Sequence, residues 1–306
     1  MNQQREGYSF EEIGDCNFCG RSTESNTILG RRLNKRGGFR PQKQTGVSVS
    51  VIRCTKCGLV YSDPKPLPMS IEQHYNVDPY TYWPEAYFQY DQDYFRDEIE
   101  TAKRLLNNFT DGAKALDVGC GIGKAMLSLE KAGFEAFGIE PSQRFIDCAV
   151  DKMGMAREKM SCASVETATF EPNSFDFITF GAVLEHLSDP KGAICSSLEW
   201  LKPGGLIQIE VPSADWLLPK LINWGYRLQG TTFVTNLSPM HVPYHFYEFT
   251  RESFEILADT CGAEIAHHEY FVCSILNMPK FLHPFLKRIM EKNNSGMQLS
   301  IWLRKK

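Results

Sequence analysis

A chain of 306 residues with a formal net charge of −4 has room for one large domain and a small one. Its acidic balance gives no global electrostatic case for a nucleic-acid binder, and no apolar run approaches the roughly 20 residues that a bilayer span needs. Met1 to Phe10 is polar and lacks the apolar core of a secretion signal, so a cytoplasmic, reducing setting is expected. The ten cysteines then read as metal ligands or buried apolar residues rather than as disulfides.

Cys16-Asn17-Phe18-Cys19-Gly20 and Cys54-Thr55-Lys56-Cys57-Gly58 are matched Cys-x-x-Cys-Gly knuckles. Four thiolates in two such pairs suit a tetrahedral ion, most simply Zn²⁺, although iron in a rubredoxin-like site has the same ligands. A closed four-Cys site has no open position for chemistry. Residues 1–68 are therefore expected to form a zinc ribbon that serves as a scaffold or a substrate-side lid, with 69–306 as the main domain. Between the knuckles, Gly30 to Lys43 holds six basic residues and no acid. It reads either as a phosphate-binding patch or as a solvated loop, and the second reading is preferred. Pro64 to Pro68 is stiff and reads as the linker out of the ribbon. An aromatic stretch from Tyr75 to Phe95 follows, with Tyr80, Tyr87, Tyr90 and Tyr94 among its members. It is expected either to cap a cofactor pocket or to pack a helical layer on a sheet. Glu98 to Phe109 has a helical apolar face.

Strand and helix patterns then alternate, which predicts a parallel sheet covered on both faces. Ala115 to Val118 reads as a buried strand, Asp117 to Gly123 as an Asp-x-Gly-x-Gly-x-Gly loop, and Lys124 to Lys131 as a helix. Glycine lets such a loop turn sharply and approach a ligand. A dinucleotide fingerprint would need a glycine at 124, where Lys124 stands, and the Gly-Lys-Ser/Thr of a P-loop is absent. Glu135 to Glu140 is the second strand, ending in an acid that can grip two ribose hydroxyls, with Pro141 and Ser142 opening the next helix. Ser161 to Glu166 falls where a third strand ends, and Phe175 to Phe180 is the fourth. Gly181 to Leu187 follows it, Asp189-Pro190 starts a helix, and Leu201-Lys202-Pro203-Gly204-Gly205 is a turn into a fifth strand, Leu206 to Val211. Pro212 to Phe249 is an insertion carrying His241 and His245. Pro243 between them argues against a helix, which weakens a shared metal-ligand role. Thr250 caps a helix that Gly262 ends, Ala263 to Phe271 is the sixth strand, and Gln298 to Arg304 is an antiparallel last strand. Pro279 to Glu291 is a short amphipathic segment, expected to pack on the sheet rather than touch a membrane.

Asp117 to Gly123, Glu140, the Phe-Asp strand, Leu184-Glu185-His186 and the Leu-Lys-Pro-Gly-Gly turn together resemble small-molecule class I S-adenosylmethionine (SAM)-dependent methyltransferases, over about residues 95–270. The twin knuckles are similar to those of a zinc-ribbon-bearing subgroup that includes sugar methyltransferases. The resemblance implies an α/β fold, a Rossmann-like seven-stranded sheet with helices on both faces plus the ribbon. It implies a cofactor site made of Asp117, Gly119, Cys120, Gly121, Gly123, Glu140 and Pro141, with Ser164 and Val165 near adenine and Gly181 and Ala182 near the methionine end. Ubiquinone-pathway O-methyltransferases pair the Glu-His with an acid three residues earlier as metal ligands. That position is Ala182, so no catalytic metal is expected. His186 is the first choice of base for a hydroxyl acceptor, with His241 and His245 as competitors. The expected acceptor is a small molecule, a sugar or nucleotide-linked sugar. The alternatives are an RNA methyltransferase that grips with the ribbon and residues 31–43, and a SAM-binding regulatory subunit without chemistry.

Overall fold

A computed structural model describes residues 8–34, 47–68, 78–82, 85–106, 109–241, 244–273, 275 and 279–306. In chain order, the strands are β1 (Tyr8–Glu11), β2 (Thr27–Asn34), β3 (Val47–Arg53), β4 (Val60–Asp63), β5 (Lys65–Pro68), β6 (Lys114–Val118), β7 (Glu135–Ile139), β8 (Met160–Ser161), β9 (Phe175–Gly181), β10 (Leu201–Pro212), β11 (Tyr247–Glu248), β12 (Ala263–Phe271) and β13 (Gln298–Lys305). The helices longer than a turn are α1 (Arg96–Leu105), α2 (Lys124–Lys131), α3 (Gln143–Met153), α4 (Pro190–Trp200), α5 (Leu217–Leu228), α6 (Arg251–Cys261) and α7 (His283–Lys292).

Seven strands form one sheet in the order β12-β13-β10-β9-β6-β7-β8. The run from β10 to β8 is parallel, and β13 lies antiparallel to both β10 and β12. The central strands are buried on both faces, which is why Ala115, Leu116, Phe177, Ile178 and Phe180 are all apolar, with the buried Thr179 hydroxyl bonded to Gln208. This is the α/β sheet that the strand–helix alternation predicts. Local chemistry sets the helix ends. Asp189 accepts the Gly192 amide, with Pro190 in the first turn of α4. Thr250 and Ser253 form a reciprocal cap at the start of α6, and Gly262 (φ 77°) ends that helix.

Three local expectations change. Leu201 to Gly205 is not a turn ahead of the strand but the irregular start of β10, where the pairing with β9 shifts register. Lys65 to Pro68 is not a free linker, because β5 pairs antiparallel with β1. Cys195 and Cys261 are joined as a disulfide between α4 and α6, against the expectation that no cysteine is paired. These two cysteines face each other only because α4 and α6 pack side by side, which spacing along the chain does not reveal.

The N-terminal knuckle segment packs into the larger sheet's surroundings. Its sheet runs β11-β4-β3-β2, so its edge strand comes from the 212–249 insertion. Phe18, in the first knuckle, packs against Phe249 and Phe254 with ring centroids 5.6 and 5.7 Å away. The knuckle cysteines and the sheet residues Ile178, Phe180 and Ile207 belong to one continuous buried cluster. Thr250 Oγ1 donates to the Cys57 carbonyl (2.8 Å), and Asn17 donates to Asp189 Oδ1 (2.9 Å). Each full apolar burial of this kind is worth about 1.5–3 kcal/mol, so the two parts hold each other in place.

Candidate active site

The glycine loop folds onto the end of β7. The Gly119 and Cys120 amides both donate to the Ile139 carbonyl, at 2.8 and 3.0 Å. Gly119 has φ 70°, and a Cβ there would lie 2.6 Å from Val183 Cγ2. Gly121 and Gly123 are also left-handed (φ 53° and 77°), and Gly123 caps α2. Only glycine takes these angles without strain.

Glu140, at the tip of β7, holds the loop directly. Its Oε2 accepts the Gly121 amide at 3.0 Å and its Oε1 accepts the Ser142 amide at 2.9 Å. Each carboxylate oxygen has a further lone pair for a ligand hydroxyl. Asp117, at the tip of β6, is buried beside it. Burial and then the Glu140 charge push Asp117 up to about 8. Burial likewise pushes Glu140 up to about 7, against the pull of the Ser142 and Gly121 amides. The result is a pair of dry acids under a backbone loop, suited to ligand hydroxyls and to a positively charged group. Cys120 is buried against Gly138, and Pro141 follows Glu140 at the rim. Val165 is buried, whereas the Ser164 amide donates to Thr167 Oγ1 within its own turn. Gly181 and Ala182 are exposed at the end of β9, Ala182 with φ 56°.

Part of the aromatic stretch lies over this loop, a placement left open by the residue pattern. Lys124 Nζ sits 4.2 Å from the Tyr87 ring centroid and 4.6 Å from that of Tyr94. The two hydroxyls are 3.4 Å apart. Burial raises both phenols, with the Asp117 charge adding to each shift. Tyr75 and Trp83 lie outside the described residues.

A second cluster stands where β9 ends. Leu184 to His186 form one tight turn that tucks the Glu185 side chain inside. The Glu185 carbonyl accepts the Phe246 amide (2.9 Å), which ties the insertion to this turn. His186 Nδ1 lies 3.2 Å from the Tyr244 carbonyl. A carbonyl can only accept, so Nδ1 carries the proton, and Nε2 is the ring nitrogen on the Glu185 side. His245 Nε2 is 3.7 Å and His186 Nε2 4.0 Å from Glu185 Oε1, and the two rings meet edge to face with centroids 5.0 Å apart. Glu185 Oε2 is buried and, among the described residues, has no hydrogen-bond partner. Burial pushes Glu185 up to about 8 and His245 down to about 3. Three donor atoms within 4.8 Å can share a proton or hold a cation. A cation site was not expected with Ala182 in the chain, but His245 arrives from the insertion as a third donor.

His241 does not join this group. Its Nε2 is 3.0 Å from Arg32 Nη2, and a guanidinium only donates, so that lone pair is taken. Burial and the Arg32 charge pull His241 down to about 4. Arg32 itself is buried on β2, which removes it from the basic run as a grip for polyanions. Arg31 is turned to Thr232 and the Phe233 ring, and residues 35–43 of that run lie outside the described residues. The sequence pattern marked Glu185 within Leu184-Glu185-His186 and Arg32 within the basic run, but not the contacts of Glu185 with His245, of Arg32 with His241 or of Tyr244 with His186.

The four knuckle sulfurs converge. Cys16 and Cys57 are 3.5 Å apart, as are Cys19 and Cys54, and all four lie within 4.8 Å of one another. A tetrahedral zinc with bonds of about 2.3 Å needs sulfurs about 3.8 Å apart, so this set fits such an ion. Gly20 and Gly58 close the knuckles by donating to the Cys16 and Cys54 carbonyls, both at 2.9 Å.

The methyltransferase domain family matches residues 88–268. A ubiquinone biosynthesis O-methyltransferase of Coxiella burnetii (strain RSA 331 / Henzerling II) is 29% identical over 144 residues, 46% of this chain and 59% of the relative. Phosphoethanolamine N-methyltransferase 1 of Arabidopsis thaliana is 32% identical over 130 residues, 39% of this chain and 26% of the relative. The chain thus spans less than two thirds of either relative. A crystal structure of a SAM-dependent methyltransferase from Archaeoglobus fulgidus superposes with a TM-score of 0.49 at 14% identity, covering 74% of this chain and all of that one. With more than half of its residues inside the matched family, and its glycine loop and acid-tipped strands inside that span, the chain belongs to the methyltransferase domain family.

Proposed function

We propose that the protein is a SAM-dependent methyltransferase that acts on a small-molecule acceptor. The observation that carries this reading is the loop held between Asp117 and Glu140, on the same sheet end as Glu185, His186 and His245. Ligands of open α/β sheets bind at the carboxyl ends of the strands. Bound SAM supplies an electrophilic methyl group on a sulfonium. Glu140 is the residue for the ribose hydroxyls, and the loop amides and Asp117 hold the chain near Gly119 to Gly123. Ser164, Val165, Pro141 and Cys120 line the adenine side, and Gly181 and Ala182 the methionine side. Tyr87 and Tyr94 close the loop from above and keep water out.

For a hydroxyl acceptor, His186 Nε2 is the base. Its tautomer is set by the Tyr244 carbonyl, and its Nε2 lies 4.0 Å from Glu185 Oε1. The 212–249 insertion is the acceptor wall, and His241 belongs to it through its bond with Arg32. The ribbon resemblance favours a sugar or nucleotide-linked sugar as acceptor. Zn²⁺ bound by Cys16, Cys19, Cys54 and Cys57 braces that wall, because each knuckle bonds to an element beside it.

The test is transfer from methyl-labelled SAM into fractionated extract, with and without ribonuclease. Label in a ribonuclease-resistant small-molecule fraction is the expected result. Label in RNA would overturn the acceptor class. SAM binding with no transfer to any fraction would overturn the catalytic reading in favour of a regulatory subunit.

A further inference from the structure

Helix α7 buries Leu286 and Met290 against Leu218 of α5, and Leu217 and Leu282 pack around them. The Leu217 amide donates to the Ser295 carbonyl (3.1 Å), so α5 begins beneath the end of α7. Leu217, Leu221, Trp224 and Leu228 make one apolar row along α5. Only the first turn of that row is covered. Leu221, Trp224 and Leu228 are 39%, 62% and 68% exposed. Beside α7, Phe281 is 79% exposed and Phe285 64%. Among the described residues ten large apolar side chains are exposed, and half of them lie on this one pair of elements. Scattered single apolar residues are ordinary on a surface; this concentration is not.

Charge says what covers it. Residues 279–292 carry Lys280, Lys287, Arg288 and Lys292 against one acid, Glu291, and α5 carries Lys220 and Arg227 with no acid. The chain as a whole has a net charge of −4, so this region is a local reversal. Glu291 and Asp215 pair with Lys287 and Lys220 (3.7 and 3.2 Å), and with both acids counted the region still keeps a positive excess. Exposed Trp, Phe and Leu fringed by Lys and Arg match the boundary between acyl chains and anionic headgroups, where the rings enter and the long cations reach back to phosphate. Among the described residues no helix is long and apolar enough to cross a membrane, so the contact is a surface one.

We propose that α5 and the 279–292 segment form a docking face for an anionic lipid surface. Phe281, Phe285, Leu221, Trp224 and Leu228 supply the apolar contact, and the flanking Lys and Arg supply the attraction to lipid phosphate.

The test is co-sedimentation of the full chain with phosphatidylcholine vesicles, with and without phosphatidylglycerol. Binding to the phosphatidylglycerol vesicles alone, weakened by salt, is expected. Phe281→Ser with Phe285→Ser should lower the partition coefficient about tenfold or more. Trp224→Ser, on the other helix, should lower it independently. These side chains are exposed, so thermal unfolding and SAM binding should not move, which separates lost docking from lost folding. No vesicle binding, equal binding to both lipids, or binding unchanged by both variants would overturn the proposal. So would a dimer in sedimentation velocity that the double variant dissociates, because the face would then belong to a second copy of the chain.

Discussion

Glu185 Oε1 lies 3.7 Å from His245 Nε2, although one residue sits at the end of a sheet strand and the other in the insertion that follows the next strand. That cluster sets His186 and His245, both beside Glu185, apart from His241, which pairs with Arg32. His186→Ala and His245→Ala should lower kcat by about 10²- to 10⁴-fold with little change in SAM affinity. His241→Ala, whose ring already accepts from Arg32, should cost far less in kcat and show mainly as lower thermal stability. Steady-state kinetics with a methyl acceptor, set beside calorimetric SAM binding, checks all three.

The dry acids predict a pH dependence of opposite sign to ordinary acid denaturation. Asp117 rises from 3.8 to about 8 and Glu140 from 4.5 to about 7 on folding. Between those limits the native state holds protons that the unfolded chain has released, so stability falls as pH rises. Their contribution is fully present below about pH 4 and is lost as pH climbs through 7 to 8. Asp117→Asn should flatten the melting temperature between pH 5 and 8, and thermal scans across that range test it.

Zinc in the knuckles should be countable. One equivalent per chain is expected from metal analysis of protein purified without added metal, and Cys54→Ser should abolish it. Loss of the ion should lower the melting temperature and slow turnover together, because Asn17 and Cys57 reach Asp189 and Thr250 beside the acceptor wall. SAM binding should survive. Iron in place of zinc would show as visible absorption.

Gly119→Ala probes the loop itself. It meets a left-handed φ of 70° and a Val183 methyl 2.6 Å from the new Cβ. The expected cost is about 2 kcal/mol or more in denaturant unfolding, together with weaker SAM binding.

Much of the larger sheet was legible because its signals are local. A buried run ending in Asp117, a run ending in Glu140 and the Asp189-Pro190 cap each lie within a few residues, and each sits where its pattern placed it. The missed features are long-range. β11 joins the ribbon sheet across most of the chain, Arg32 reaches His241, and Cys195 meets Cys261 through helix packing. None of these has a period or spacing to read. The same holds for Tyr87 and Tyr94. Their aromatic character was plain, but their station over Lys124 depends on how the segment folds back.

The Asp117–Glu140 loop is the proposed seat of the methyl donor. Calorimetric titration of the protein with SAM tests it most directly. One site per chain is expected, with affinity lowered about tenfold or more in Glu140→Ala, where both the ribose contact and the bond to the Gly121 amide are lost. No binding, or binding that Glu140→Ala and Gly119→Ala leave unchanged, would contradict it.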